Sequence, residues 1–183
     1  MKISGKFVYI KKISLKDALF IYKLRIDKLN SFFLHNPPKS ISAQKNWIRN
    51  NIKNKKASDF VIIEKKYNKK IGTIALNNID KNSAEWGRWI STGNSVQNIE
   101  SVVLLLKYGF KKLQLKKIYS LTNANNKKVV NFHKNSNATY NGIIKSFFNI
   151  KNKKIDAVKY SFNKENFKKF EKKFIFMTQL VRL

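Results

Sequence analysis

The sequence predicts an α/β fold: a mixed, mostly antiparallel sheet of seven strands with flanking helices. Two observations carry this prediction. In Ser83–Asn135, a strand, a loop, a helix, a second strand and a second helix follow one another, and such an order requires a crossover between two parallel strands. Two apolar stretches, Asp59–Lys65 and Ile71–Asn77, flank the turn KYNKK, which is typical of an antiparallel hairpin.

In the central segment, the spacing of the apolar residues changes from a strand-like to a helical pattern. Trp86 and Trp89 lie in a stretch of aromatic and branched residues that favours a strand. Beyond the loop TGNSVQN, apolar residues recur at helical spacing: Ile99, Val102, Val103, Leu106, Phe110 and Leu113. The loop therefore leads into a helix N-terminus, where backbone amides can bind an anion.

The remaining elements follow from the same periodic signals. We predict strands at Phe7–Ile13, Ile118–Leu121, Tyr140–Ile150 and Asp156–Phe162, and helices at Ala18–Leu29, Ser42–Asn54, Val129–His133 and Glu165–Lys173. The tail FIFMTQLVRL is apolar enough to pack onto the domain or onto a second subunit.

Length and composition favour one domain spanning residues 1–183. Hydrophobic residues make up 43% of the chain, which is typical of a globular protein. No cysteine is present, which excludes disulfides and thiolate metal sites. We find no signal-peptide pattern and no apolar run of membrane-spanning length, so we expect a cytoplasmic protein that does not bind membranes.

The net charge of +29 raises the question of nucleic-acid binding. Only four of the 39 basic residues are arginine, and the 35 lysines are spread along the whole chain. Abundant lysine, asparagine and isoleucine indicate an AT-rich genome, so we interpret the charge as a solvated lysine surface and expect no specific nucleic-acid partner. The charge would still steer anionic ligands towards the protein.

Four motifs carry a resemblance to a known family: AEWGRWIS, LLLKYGF, IYSLTNANN and VVNFH. In this order and spacing they resemble the core of the GNAT superfamily of acyl-CoA N-acetyltransferases. The similar branch contains ribosomal-protein N-terminal, spermidine and nucleotide-amino-sugar acetyltransferases. The resemblance covers about Phe7 to Phe167. It implies a GNAT-like sheet whose parallel pair splays apart, and acetyl-CoA as the acyl donor.

The resemblance also implies cofactor-binding positions. Backbone groups of Trp89 and Ile90 would bind the pantetheine arm, and the loop and helix start would bind the pyrophosphate through Asn94, Ser95, Val96, Asn98 and Ile99. Asn126 matches a cofactor-contacting asparagine of the family, and it could equally cap the next helix. The loop lacks the family's usual glycines, since only Gly93 is nearby. A GNAT-like fold with weakened cofactor binding is therefore an open alternative.

Catalytic candidates follow from the same match. Glu85 would be the general base, with a pKa raised by burial beside tryptophans; alternatively it forms an ion pair with Arg88 or a lysine. His133 stands where many members carry a tyrosine that protonates the departing thiolate; alternatively it is a core or surface histidine. Acceptor-binding candidates are Phe32, Phe33, His35 and Arg88, although the aromatic residues could instead form a hydrophobic plug between helices.

The favoured acceptor is the amino group of a nucleotide-linked amino sugar in surface-glycan or flagellin-sugar biosynthesis. Three alternatives stay open: a protein N-terminus, a polyamine, and a non-catalytic basic binding protein on the same fold. We find no metal-ligand spacing, so we expect no metal dependence. The sequence fits a monomer or a homodimer.

Overall fold

A computed structural model describes residues 1–34, 36–150 and 152–180 and contains one eight-stranded sheet. The strands are β1 Lys2–Ser4, β2 Val8–Lys12, β3 Ser58–Glu64, β4 Lys69–Asn77, β5 Ser83–Ser91, β6 Lys117–Asn123, β7 Thr139–Ile150 and β8 Lys153–Phe162. Their order is β1-β2-β3-β4-β5-β6-β8-β7, and only β5 and β6 pair in parallel. The mixed α/β fold is confirmed. The sheet has one strand more than predicted, because β1 has three residues and is too short to show an alternating pattern.

The helices occupy both faces of this sheet. They are α1 Ala18–Ile26, α2 Lys28–Ser31, α3 Ile41–Lys53, α4 Ser95–Lys107, α5 Lys127–Asn135 and α6 Lys164–Leu180, with a π-helical turn at Tyr108–Lys112. Helix α4 begins four residues before the first apolar position of the predicted helix, since the Asn94 cap fixes its start. The apolar tail extends α6, and its Phe174 is buried in the core of the chain.

Strand β3 shows how one sheet separates two cores. Phe60 and Ile62 pack with α4 and α6 on one face, whereas Val61 and Ile63 pack with α1 and α3 on the other. Alternate side chains of a strand point to opposite faces. A strand covered on both faces therefore needs the continuous apolar run found here.

The parallel pair separates after a short contact. Strands β5 and β6 are paired only from Ser83 opposite Lys117 to Glu85 opposite Tyr119. Beyond Glu85, β6 continues to pair with β8 on its other side. Because the backbone of β5 leaves the ladder there, its amides and carbonyls can pair with a ligand. The separation opens the cleft described next.

Candidate active site

A cleft of about 370 Å³ opens between the separated ends of β5 and β6. Its lining comes from distant parts of the chain: Arg25, Phe33, Leu34, Asn77, Asn78, Glu85, Trp86, Gly87, Arg88, Trp89, Ser120, Leu121, Thr122, Asn123, Asn126, Val129, His133 and Phe148. Of the candidates from the sequence, Phe33, Glu85, Arg88, Trp89, Asn126 and His133 are brought together here. Helix α4 with its preceding loop follows directly from β5.

The two aromatic acceptor candidates differ in exposure. Phe33 lines the cleft, whereas Phe32 is 64% exposed and contacts Phe33 edge-on, with ring centroids 5.0 Å apart. An aromatic wall at the cleft is therefore formed by Phe33 with its neighbour Leu34. The third candidate of this segment, His35, lies outside the described residues.

Glu85 lies in the cleft at the point where β5 leaves β6. One carboxylate oxygen accepts a hydrogen bond of 3.0 Å from Asn78 Nδ2. Burial raises the pKa of Glu85, and the Asn78 hydrogen bond and the charges of Arg88 and Lys159 oppose that rise only partly. A carboxylate with a raised pKa is a stronger base, which suits proton removal from an ammonium group.

Arg88 is held in a fixed position by groups other than Glu85. Its Nη1 lies 3.0 Å from Asp59 Oδ1 and 3.2 Å from Asn51 Oδ1, and the guanidinium lies 5.1 Å from the ring centre of Trp47. The backbone of Arg88 is left-handed, with φ 49°, at an irregularity in the pairing of β4 with β5. This irregularity turns the arginine towards the α1–α3 face, so the ion-pair alternative joins Arg88 to Asp59 instead of to Glu85.

His133 on α5 is fully buried. Its Nε2 lies 3.1 Å from Ser120 Oγ and 3.3 Å from Thr122 Oγ1, and its ring stacks on Tyr160 with centroids 4.9 Å apart. Burial lowers the pKa of His133 to about 4, so the imidazole is neutral at pH 7. His133 Nε2 is thus engaged by the Ser120 and Thr122 hydroxyls, whereas its Nδ1 has no hydrogen-bond partner among the described residues. The core-histidine alternative describes its packing correctly.

The loop before α4 is held together by side chains. Asn94 Oδ1 accepts from the Gln97 amide at 2.9 Å, and Gln97 Oε1 accepts from the Asn94 amide at 3.0 Å, forming a reciprocal cap. Gln97 Nε2 in turn donates to Glu64 at 2.7 Å. The first helical amides, those of Ser95 and Val96, have no acceptor within the helix and remain suited to an anion.

The other cofactor candidates have mixed surroundings. The side chains of Val96 and Ile99 pack against the core, which takes the bulk of Val96 away from the loop surface. Asn98 Nδ2 donates to Gly93 O at 2.8 Å. Asn126 caps α5 by accepting from the Val129 amide at 3.3 Å, so the capping alternative is confirmed. The side chain of Ile90 is buried and lines a different cavity on the α1–α3 face.

Sequence reasoning missed several lining residues. Asn77 Oδ1 is buried in the cleft wall and accepts no hydrogen bond from the described residues. Ser120 and Thr122 line the cleft and contact His133 Nε2. Phe148 also lines the cleft and belongs to strand β7, which is distant in sequence from β5 and β6. No motif marks these positions, because asparagine and phenylalanine are frequent throughout the chain. Only the strand register brings them to the cleft.

Within residues 1–34, 36–150 and 152–180, no group of three histidine, aspartate or glutamate side chains could hold a metal ion. The helices described in the same ranges lack the length and apolar character needed to cross a membrane.

Comparison with known proteins identifies the family. The sequence model described as the acetyltransferase (GNAT) domain matches residues 8–139. The chain belongs to the GNAT family of acetyltransferases. Its resemblance to that family and its assignment as an acyltransferase enzyme are thus confirmed. No curated protein sequence matches this GNAT chain.

Solved structures of GNAT proteins share its fold along nearly the whole chain. FdhC, described as a nucleotide-linked sugar GNAT, is 26% identical with a TM-score of 0.79, covering 96% of this chain and 97% of FdhC. A spermidine N-acetyltransferase SpeG mutant from Vibrio cholerae is 20% identical with a TM-score of 0.76, covering 89% and 97%. A GCN5-related N-acetyltransferase from Brucella melitensis is 17% identical with a TM-score of 0.81, covering 95% and 83%.

GNAT enzymes use acetyl-CoA as the acyl donor, and two features of this chain fit such a ligand. The backbone of β5 beyond Glu85 has left the ladder with β6 and can pair with an extended arm. The α4 N-terminus offers the amides of Ser95 and Val96 to a pyrophosphate. This loop has fewer free backbone amides for a pyrophosphate than its length would allow, because the amides of Asn94 and Gln97 already donate to side-chain acceptors.

Proposed function

We propose that this GNAT enzyme transfers an acetyl group from acetyl-CoA to the amino group of a nucleotide-linked amino sugar, for surface-glycan or flagellin-sugar biosynthesis. The observation that carries the choice of acceptor is the likeness to the nucleotide-linked sugar GNAT FdhC. It extends over 96% of this chain at 26% identity. The net charge of +29 supports the choice, because it attracts a nucleotide diphosphate and repels a polyamine.

In this proposal, the chain supplies binding and positioning. Acetyl-CoA brings a thioester carbonyl that is already activated towards an amine. The freed backbone of β5 at Trp89 and Ile90 orients the pantetheine arm, the start of α4 holds the pyrophosphate, and Asn126 adds a contact at the start of α5. Positioning of this kind supplies much of the rate in a transfer between two bound reactants.

Two groups of the chain handle protons. Glu85 takes a proton from the acceptor ammonium, directly or through a water molecule, and its raised pKa suits that task. At the other wall, the Ser120 hydroxyl, whose Oγ lies 3.1 Å from His133 Nε2, can donate a hydrogen bond to the departing thiolate, which takes the second proton that the acceptor nitrogen loses on forming the amide. Asn77 Oδ1 can accept a hydrogen bond from the acceptor amine.

The proposal places the reaction in the cytoplasm, where acyl-CoA thioesters are formed and used. We propose a monomer or a homodimer as the functional form.

The test is a panel assay with the purified protein. We would incubate it with acetyl-CoA and, separately, amino-sugar nucleotides, peptides with free N-termini, and polyamines, and measure CoA release and product mass. We expect turnover with amino-sugar nucleotides. Faster turnover of a peptide or of spermidine would refute the acceptor. A calorimetric titration without CoA binding at millimolar concentration would refute the enzymatic proposal and favour a binding protein on the same fold.

A further inference from the structure

A second cavity of about 260 Å³ adjoins the cleft on the α1–α3 face of the sheet. The two spaces share Arg25, Leu34 and Arg88 in their linings. The lining of the second cavity is largely apolar and includes Ile21 and Trp47. We call it the α1–α3 cavity. A molecule held in the cleft can therefore extend past Arg25 and Arg88 into a preformed pocket.

Two guanidinium groups meet at the junction between the two spaces. Arg25 is half-buried at the end of α1, and its Nη2 donates to Asn36 O at 3.2 Å. Arg88 is held by Asp59, Asn51 and the face of Trp47. Burial and the nearby charge of Arg88 lower the pKa of Arg25. Holding two like charges together in a partly desolvated place costs free energy that a bound anion would remove.

The nearby acids leave room for such an anion. The linings of the cleft and the α1–α3 cavity contain two acids, Asp59 and Glu85. Both oxygens of Asp59 are already hydrogen-bonded, to Arg88 Nη1 and to Asn51 Nδ2. Glu85 accepts its hydrogen bond from Asn78. All of the bonds from Arg88 to Asp59 and Asn51 use its Nη1, so Nε and Nη2 of Arg88 stay available to a ligand.

The choice of arginine is itself informative in this chain. Of 39 basic residues only four are arginine, and two of these four stand at this junction. A planar guanidinium can bind a carboxylate or phosphate through two parallel hydrogen bonds, which an ammonium group cannot do. Arginine in a lysine-dominated sequence thus indicates a need for that geometry.

A second, independent observation concerns a polar side chain in the lining of the α1–α3 cavity. Gln44 on α3 lines it and is only 3% exposed. The side-chain Nε2 of Gln44 is buried and has no hydrogen-bond acceptor among the described residues. A buried donor without an acceptor destabilises the protein, whereas an acceptor group on a ligand would satisfy it.

We propose that Arg25 and Arg88 together bind an anionic group of the acceptor, a phosphate or a carboxylate, and that the α1–α3 cavity takes the adjoining part of the acceptor. Gln44 Nε2 then donates a hydrogen bond to that part. The inference rests on the proposed acetyl transfer to a small acceptor and adds the chemical class that this acceptor must have. It excludes a polyamine as the preferred acceptor, because two cations would face a cation.

The test measures anion binding directly, without turnover. The protein is first saturated with CoA, so that the start of α4 is occupied, and is then titrated calorimetrically with uridine diphosphate, inorganic pyrophosphate, glutarate and spermidine. Two variants change the junction, Arg25→Gln and Arg25→Lys. The matched control is Arg49→Gln, which removes an exposed arginine that donates to Asn46 on the same helix.

We expect a phosphate or a carboxylate probe to bind and spermidine not to bind. Loss of charged hydrogen bonds should weaken the bound probe about ten- to a hundredfold in Arg25→Gln. Arg25→Lys, which keeps the charge, should lose about tenfold for lack of the planar fork. Arg49→Gln should bind the probe like the wild type. CoA affinity and the thermal midpoint of unfolding should be the same in all variants. If Arg25→Gln does not fold, the probe affinity of Arg25→Lys tests the inference instead.

Equal probe affinity in wild type, Arg25→Lys and Arg25→Gln would overturn the inference, as would equal losses in Arg25→Gln and Arg49→Gln. The phosphate and carboxylate probes identify which anion the acceptor carries. Arg25-dependent anion binding without acetylation of any amine would remove the proposed function and leave this subsite standing. Acetylation of spermidine or a peptide without Arg25-dependent anion binding would show acetyltransferase activity and remove the anion subsite.

Discussion

Glu100 on α4 offers a prediction whose size follows from the structure. Its side chain is buried, with 4% exposed, and its two oxygens accept three backbone hydrogen bonds from the turn between β1 and β2. Oε1 accepts from the Lys6 amide at 2.6 Å, and Oε2 accepts from the amides of Phe7 and Val8, each at 2.7 Å. The carboxylate therefore fastens the edge of the sheet to the helix whose start is the proposed pyrophosphate site.

The variant Glu100→Gln replaces one acceptor oxygen with an amino group of nearly the same size. If the remaining oxygen faces Phe7 and Val8, their two hydrogen bonds become neutral and weaken by about 1 kcal/mol each. The Lys6 amide then faces another donor and is left unsatisfied, which costs about 1–3 kcal/mol. The expected loss of unfolding free energy is thus about 3–5 kcal/mol, a large part of the stability of a typical domain.

The assay is urea unfolding of both proteins at pH 7, followed by circular dichroism and tryptophan fluorescence. The control is Glu165→Gln, because Glu165 is an exposed residue that forms an ion pair with Lys169 one helical turn away. The urea midpoint of this variant should equal that of the wild type, since exposed ion pairs contribute little to stability. A Glu100→Gln midpoint as close to wild type as that of the control would refute the reasoning. It would mean that the three short hydrogen bonds contribute nothing beyond what water supplies.

Three further predictions concern the cleft and the surface. Glu85→Gln should lower turnover about 10²–10⁴-fold near neutral pH, and the deficit should shrink as rising pH deprotonates the free amine, so a pH-independent deficit would assign Glu85 to structure. His133, with a pKa of about 4 when folded and about 6.5 when unfolded, binds fewer protons in the folded state. The unfolding free energy of the wild type should therefore fall by about 3 kcal/mol as the pH falls from 6.5 to 4. The variant His133→Phe should not show this fall in acid titrations. The same variant should keep its CoA affinity and have a lower turnover. Duplex DNA should bind weakly and lose affinity steeply with salt in filter-binding assays, whereas sequence-selective binding at physiological salt would contradict the lysine-surface interpretation.

The order and type of the main elements could be predicted because periodicity is a local property. The continuous apolar run within Asp59–Lys65 and the helical spacing after Ile99 lie within reach of a short window of sequence. Strand β1 could not be predicted in the same way, since its three residues gain order only by pairing with β2. The π-helical turn at Tyr108–Lys112 was not predicted, because the apolar spacing continues through Phe110 and Leu113; within this turn Gly109 packs closely against Ile118 and Leu76.

The candidate site was harder to predict, because it depends on which way side chains turn. Glu85 and His133 could be named from their positions in motifs, yet nothing local shows that Arg88 turns to the α1–α3 face. That direction depends on a left-handed backbone at Arg88 and on Asp59, which comes from another strand. The burial of His133 likewise depends on Tyr160 and on the hydroxyls of β6, which come from distant segments.

The loop before α4 shows how this chain can shape an anion site with few glycines. Gly93 stands where the loop is tightly packed, since a Cβ there would come within 2.8 Å of Ile71 Cδ1 and 3.0 Å of Gln97 Oε1. The rest of the loop is fixed by the reciprocal Asn94–Gln97 cap and by the bond from Gln97 to Glu64. These side-chain hydrogen bonds fix the loop, and they occupy the amides of Asn94 and Gln97 in doing so. Fewer amides then remain for the proposed pyrophosphate contact, while the net charge of +29 attracts anions at long range.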